Sequence, residues 1–322
     1  MYRLALTIVV CVGMIAGAAL AAGPKVVDVQ GLYEGGCKDA KGTTKMEARV
    51  VACGKDAYKV YVRIPAGENK VTKVELDGKT EGDDVKFQGA SDDVKWAASY
   101  ADGMIKGTCG ADCTLELKRV VRVSPTMGAK PPAGAIVLID GENFDEMTMG
   151  KPGQEWKKLE GGAIQVPKGG MNSKRRFAGS LKVHVEFRSP LMPGATGQGR
   201  GNSGVFLPNG DEIQVLDSFG MDTYTGGGCG GLYRYKDPDA FDKFSLASAP
   251  PEQWQTYDIE YRVETKDGKP TGKPRGTVLH NGIKIHDNVE LHKDARAGGF
   301  QFQDHGNPVC YRNIWVLPLE DK

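Results

Sequence analysis

Two long stretches of this chain alternate apolar and polar residues with a period of two. The first covers residues 24–123 and contains "KMEARVVACG", "AYKVYVRIPA", "KVTKVELDGK", "DVKFQGA", "DGMIKGTCG" and "CTLELKRVVRV", each bounded by Gly, Asp or Pro. Such alternation is the mark of a strand with one buried face. The close, even spacing predicts an antiparallel meander, and hence a small β-barrel or sandwich. The second stretch, residues 136–319, runs through "GSLKVHVEFRSP", "NSGVFLP", "DEIQVLDS", "QTYDIEYRVE", "RGTVLHNGIKIHDNVEL" and "CYRNIWVLPL". Roughly ten strands in one unit predict a two-sheet sandwich of jelly-roll type. Asn281-Gly282 between "TVLH" and "IKI" is the two-residue signature of a tight hairpin. Between the two stretches, "SPTMGAKPPAGA" (124–135) has no apolar period and carries three prolines, as a linker does. The fold class expected is therefore all-β, without a helix longer than a turn or two.

The N-terminus breaks the alternation. Arg3 precedes "LALTIVVCVGMIAGAAL", and Ala19-Leu20-Ala21 follows as a small-x-small pattern. This reads as a signal peptide over residues 1–21, and so as a secreted or periplasmic protein. The apolar run is short for a membrane span, so no span is expected in the mature chain. Charge adds an exclusion: 42 basic against 41 acidic residues, with a net charge of +1, leave nothing to attract nucleic acid.

Loss of the signal removes Cys11 and leaves Cys37, Cys53, Cys109, Cys113, Cys229 and Cys310, an even number in an exported chain. Pairing within each unit gives Cys37–Cys53, Cys109–Cys113 and Cys229–Cys310. A four-Cys zinc site in the first unit is the alternative, although the spacing from Cys37 to Cys53 is wide for zinc. The first unit contains no histidine and no catalytic constellation. It reads as a module that binds polysaccharide or a surface partner.

Candidate chemistry lies in the second unit. In "GRGNSGVFLPNGDEIQVLDSFG", Ile213 and Val215 alternate with Glu212 and Gln214, and Asp217 follows. Glu212 and Gln214 share a face. Asp217 joins them only if one extra residue bulges. The alternative is a strand whose polar face meets only water. "SLKVHVEFR" places His184, Glu186 and Arg188 on one face by the same period, and an exposed charged face explains it equally. "FQFQDHGNPV" gathers Gln303, Asp304, His305 and Asn307, with Arg312 close behind. A sugar site needs such groups, because each buried hydroxyl wants a partner. A loop stabilised by Asp and Asn would carry them too. No His-x-x-x-His or other tight metal motif occurs, nor a serine nucleophile elbow.

The spacing E-x-Q-x-x-D resembles the E-x-D-x-x-E strand of family-16 glycoside hydrolases, with Gln in the centre and Asp at the end. More of the chain is similar to another family. "GRGNSGVFL", "EIQVLDSFG", "CGGLY", "YDIEYR", "TVLHNGIKIHDNVEL" and "FQFQDHGNPVCYRNIWV" resemble the 3-keto-disaccharide hydrolase domain family in order, over residues 135–319. The resemblance implies a concanavalin A-like jelly roll acting on a carbohydrate whose glucose unit is a ketone at carbon 3. The ketone acidifies the hydrogen on carbon 2. A base removes it, the group on carbon 1 leaves, and water adds. The resemblance implies Glu212, Asp217 and His305 as catalytic groups. It implies Arg200, Asn202, Gln214, Gln303, Asp304 and Arg312 around the sugar, with His184 and Glu186 further out. A divalent metal is the alternative to Arg200 as stabiliser of the enolate. A Cys229–Cys310 bridge would pin two strands near the cleft. The competing functions are a non-catalytic carbohydrate-binding jelly roll and a conventional glycosidase of family-16 type.

Overall fold

A computed structural model describes residues 24–67, 70–239 and 247–320. The expected signal peptide lies outside the described residues. Eight strands form the first unit: β1 (Gly31–Asp39), β2 (Gly42–Ala52), β3 (Ala57–Pro65), β4 (Val71–Glu81), β5 (Asp84–Ser91), β6 (Val94–Ala101), β7 (Met104–Cys109) and β8 (Thr114–Val120). Each pairs antiparallel with the next, and β1 pairs with β8, which closes a barrel. Closure removes both sheet edges, the positions most open to stray pairing. The inward positions of the alternation fill the interior with Tyr33, Val50, Val60, Leu76, Phe87, Trp96 and Leu117. A single helical turn, α1 (Val26–Val29), plugs one mouth. Val29 is buried there, and its carbonyl accepts the Tyr33 hydroxyl at 2.6 Å.

The second unit contains β9 (Ile136–Ile139), β10 (Met147–Met149), β11 (Lys158–Leu159), β12 (Ala163–Gln165), β13 (Met171–Ser173), β14 (Leu181–Arg188), β15 (Ser203–Phe206) and β16 (Glu212–Val215). It continues with β17 (Gln255–Lys266), β18 (Lys269–His280), β19 (Ile283–Glu290), β20 (Gln301–Phe302) and β21 (Cys310–Pro318). They form a jelly-roll sandwich of two antiparallel sheets. One runs β10-β13-β20-β15-β16. The other runs β11-β12-β21-β14-β17-β18-β19, with β9 also on β21. The core between them takes Val205, Ile213, Val215 and Phe302 from the first sheet. From the second it takes Val183, Val185, Phe187, Tyr257, Ile259 and Val316. No described helix is long and apolar enough to cross a membrane.

Segment 124–131 does not run free as linker composition suggests. It lies along the outer face of the second sheet, where Gly128 N donates to Glu186 Oε1 at 2.6 Å and Ser124 Oγ meets Thr256 Oγ1 at 2.6 Å. The Ala129 carbonyl accepts from Asn313 Nδ2 and Trp315 Nε1. The barrel itself packs on the second unit through Leu32, Val51 and Tyr61 around Phe219, with the Arg49 guanidinium 4.9 Å from that ring's centre. Gly220 makes this approach possible. Its φ is +64°, and a β-carbon there would strike Val51 and Tyr61.

The expected disulfides need correction. Strand register sets Cys37 opposite Thr44, nine residues before Cys53 along β2, so the two cysteines are roughly 30 Å apart. Cys37 instead meets both Cys109 and Cys113, which flank the β7–β8 turn. A sulfur forms one disulfide, so the two pairings are alternatives. The Cα separation of 5.8 Å suits Cys37–Cys113, while 7.0 Å to Cys109 is long for a bridge. Cys109–Cys113 is thereby replaced. Cys53, Cys229 and Cys310 are free, which removes both the four-Cys zinc arrangement and the Cys229–Cys310 bridge. Cys229 Sγ sits 3.1 Å from the Tyr257 hydroxyl in the core, and burial pushes its thiol up to about 11. Cys310 opens β21 on the opposite sheet, its thiol 3.6 Å from the Pro308 carbonyl.

Candidate active site

Pairing in the five-stranded sheet decides which side chains share its outer face. Phe206 pairs with Glu212 and Gly204 with Gln214 across β15–β16. Phe206 also pairs with Gln301, and Gln301 with Asn172. Paired residues point the same way, and so do residues two apart on a strand. Glu212, Gln214, Phe206, Gln301 and Asn172 therefore line one face, while Val205, Ile213 and Val215 line the core. Beyond β16 a short segment adds another rung. Ile213 bridges Leu232, and Tyr233 N donates to the Glu212 carbonyl at 3.0 Å, which brings Tyr233 to the same face.

Glu212 stands on the last strand of this face, between Phe206 and Tyr233. It is 8% exposed, and among the described residues its carboxylate has no hydrogen-bond partner. A β-carbon at Gly204 would overlap Glu212 Oε1, so the absent side chain at 204 creates the carboxylate's seat. Burial raises the Glu212 pKa to about 7, and the charge of Lys293 opposes that rise only in part. A carboxyl that titrates near neutrality can accept and return a proton under ordinary conditions.

Carboxamides hold the next rung, where Gln214 and Gln303 flank Gly204. Gln214 Nε2 and Asn202 Nδ2 both donate to Gln198 Oε1, at 2.8 and 3.0 Å. Gln198 Nε2 in turn donates to the Gly227 carbonyl at 2.9 Å. This leaves Gln214 Oε1 and Asn202 Oδ1 buried without a donor, and Gln303 Oε1 is in the same condition. Buried acceptors are nearly always satisfied, so three bare amide oxygens at one face take donors from outside the chain, water or a ligand hydroxyl. Sugar hydroxyls are such donors. At the rim, Tyr224 and Tyr233 join hydroxyl to hydroxyl at 2.9 Å, and the Arg234 guanidinium lies 5.9 and 5.4 Å from their ring centres.

Other residues singled out in the sequence lie elsewhere. β16 ends at Val215 with regular pairing, so no bulge turns Asp217 toward Glu212. Asp217 instead accepts Arg200 Nε at 2.7 Å, both side chains 1% exposed, and Arg200 Nη1 donates to the barrel's Ala52 carbonyl at 3.1 Å. The pair seals the contact between the two units. Asp304 caps its own turn, accepting from Gly306 N and Gly169 N. His305 is exposed on that turn. Asn307 Oδ1 holds Asn202 N at 2.7 Å. His184, Glu186 and Arg312 lie on the outer face of the other sheet, beneath segment 124–131. Glu186 there accepts Arg312 Nε at 2.6 Å and Asn313 Nδ2 at 2.8 Å, and His184 Nδ1 meets Asp258 Oδ1 at 2.7 Å. Burial disfavours both charges, but the hydrogen bonds outweigh it. Glu186 is held down at about 2 and the His184 imidazole is pushed up.

Of the expected catalytic groups the structure keeps Glu212 on this face, and of the residues expected around the sugar it brings Gln214, Asn202 and Gln303 there. Gln301, Asn172, Gln198, Tyr233 and Lys293 went unrecognised. Gln301 was legible in "FQFQ", where the period that exposes Gln303 also exposes Gln301. The rest come from segments that only the fold joins. Among the described residues, the one group of three or more His, Cys, Asp or Glu atoms close enough to share an ion is Cys37, Cys109 and Cys113 in the barrel. The face around Glu212 offers a single carboxylate and amides, and no such set.

Comparison with known proteins agrees with this architecture. The profile of the 3-keto-alpha-glucoside-1,2-lyase-like domain family matches residues 134–317. A solved structure of a candidate glycosyl hydrolase from Parabacteroides distasonis ATCC 8503 is 31% identical, with a TM-score of 0.50, over 58% of this chain and 85% of that one. No curated protein matches the chain.

Proposed function

Because the chain belongs to the 3-keto-alpha-glucoside-1,2-lyase-like family, we propose that it cleaves the glycosidic bond of 3-keto-glycosides by elimination and rehydration. Glu212 is the acid–base group. Its carboxylate takes the proton from carbon 2, and the electron pair of that bond forms the enolate of the 3-ketone. Collapse of the enolate restores the ketone at carbon 3, turns the single bond between carbons 1 and 2 into a double bond, and breaks the bond from carbon 1 to its oxygen, which leaves with the electron pair. Glu212 returns the proton to the leaving oxygen. Water then adds at carbon 1 while carbon 2 regains a proton, so the sum is hydrolysis. Gln214, Asn202 and Gln303 hold the hydroxyls, and Lys293, whose field reaches Glu212, favours the negative charge as it develops.

One observation carries this reading. Glu212 is the sole carboxylate among the paired positions of the face, and it is desolvated. A retaining glycosidase places two carboxyl groups about 5 Å apart across the bond. Elimination beside a ketone needs only one base. The proposal includes export, on the apolar N-terminal run, and carbohydrate binding by the barrel.

The test incubates the protein with a 3-keto-glucoside and with its unoxidised parent, each with and without chelator, and follows aglycone release. Release from the keto sugar alone, lost in Glu212→Gln, supports elimination. Release from the parent identifies a conventional glycosidase. Binding of both without release identifies a lectin.

A further inference from the structure

Next to Glu212 the same face opens into a pocket of about 540 Å³ whose charge is one-sided. Phe206, the cross-strand partner of Glu212, forms part of its wall, together with Asn172 and Gln301. The charged residues lining it are Lys174, Arg176 and Arg296, and no carboxylate among the described residues joins them. None of the three takes part in an ion pair among the described residues. Arg176 Nη2 donates to the Ala297 carbonyl at 2.5 Å, and Arg296 Nη2 lies over Gly210. Lys293 Nζ donates to the Gly210 carbonyl, so a fourth cation stands at the edge toward Glu212.

The nearby acids are committed elsewhere or face water. Glu146 lies 3.6 Å from Arg175, outside the pocket. Asp211 Oδ2 accepts from Asn209 Nδ2 at 2.7 Å and from Lys293 N at 3.0 Å. Asp294 is exposed to solvent. Arg176 and Lys293, held by backbone carbonyls rather than by carboxylates, keep their full charge for a ligand.

We propose that this pocket is a subsite for an anionic group, a carboxylate or sulfate, borne by the carbohydrate that Glu212 acts on. The inference rests on the proposed function for its substrate. The pocket begins one residue pair from Glu212, so a ring at the reactive position can place its own substituent, or that of the adjoining ring, among the three cations. Guanidinium groups pair with carboxylate and sulfate oxygens through two parallel N–H donors, which gives direction as well as attraction. The pocket's volume suits a monosaccharide unit. Its cations are solvent-facing, so the attraction weakens as salt rises.

The experiment compares two 3-keto-glycosides that differ only in the leaving sugar, glucuronate against glucose, at low salt. The expected ratio of kcat/KM favours the glucuronate by about tenfold, the scale of one charge-assisted contact. In the double variant Lys174→Gln/Arg296→Gln that ratio falls to about one. A charge-matched variant on remote strands, Lys118→Gln/Lys182→Gln, retains it. In parallel, calorimetry measures binding of free glucuronate, glucose and sodium sulfate to the unmodified protein and to the double variant. Equal kcat/KM for the two glycosides with equal binding of glucuronate and glucose overturns the subsite. Sulfate binding without glucuronate binding overturns it as a substrate site and makes it a site for inorganic anions. If neither glycoside turns over, yet glucuronate binds and the double variant does not bind it, the catalytic proposal falls and the subsite stands.

Discussion

The Glu212 carboxylate rests on Gly204, in the space that any side chain at position 204 would fill. Gly204→Ala therefore displaces the base without touching its chemistry. The expected result is a fall in kcat of about a hundredfold, the scale of a misplaced catalytic group. KM changes less, and circular dichroism is unaltered. Glu212→Gln, which keeps shape and removes the base, should fall further. Equal activity in Gly204→Ala and the parent would show that this carboxylate does no catalytic work.

The raised pKa of Glu212 predicts both rate and stability. As the base it must be ionised, so kcat/KM should rise with pH through a limb centred near 7. For stability the sign is opposite. The unfolded carboxyl ionises from its ordinary value of 4.5, whereas the folded one keeps its proton until about 7. The folded protein therefore loses stability across that interval as pH rises. Glu212→Gln should match the parent near pH 4 and exceed it by about 3 kcal/mol at pH 8, read by denaturant unfolding.

Arg200 and Asp217 are both sealed from water at the junction of barrel and sandwich. Arg200→Met leaves Asp217 buried and unpaired, and should cost about 3–5 kcal/mol. The double variant Arg200→Met/Asp217→Leu should recover most of that loss. Additive losses in the cycle would mean that the two side chains do not interact.

On the outer face of the other sheet, Glu186 stays ionised to about pH 2 because His184, Asn313, Arg312 and Gly128 N all donate to it. Its contribution is complete above pH 4.5 and is lost as pH falls toward 2. Glu186→Gln should therefore destabilise at pH 7 but scarcely at pH 2. Segment 124–131, tied through Gly128, should become cleavable by protease in that variant while the parent resists.

Peptide mapping without reduction should recover Cys37 joined to Cys113, with Cys53, Cys109, Cys229 and Cys310 open to alkylation. A Cys229–Cys310 peptide would contradict the core placement of Cys229 beside Tyr257.

Strand identity and the polar face of β16 were legible because a period of two survives in the letters themselves. The same period gave His184 and Glu186 a shared face correctly, yet could not tell which sheet they belonged to or that 124–131 would cover them. Arg200 and Asp217 look like site residues in sequence because buried ion pairs and catalytic pairs use the same side chains. Only the position of the barrel separates the two cases. The cysteine pairing failed for a similar reason. Proximity along β1 and β2 counts for little when register carries Cys37 toward the β7–β8 turn.

The place of β21 sets the order in which the sandwich can mature. Cys310–Pro318 inserts between β12 and β14, and β14 had passed more than a hundred residues earlier. Until β21 arrives, β14 presents a bare hydrogen-bonding edge of Val183, Val185 and Phe187, the composition most prone to pairing with a neighbouring chain. Such distant pairing is slow, because a long loop must close before any contact repays it. The barrel pairs each strand with the next and needs no such wait. Folding should therefore leave a finished barrel attached to an unfinished sandwich, and any holdase that accompanies this protein has β14 to guard.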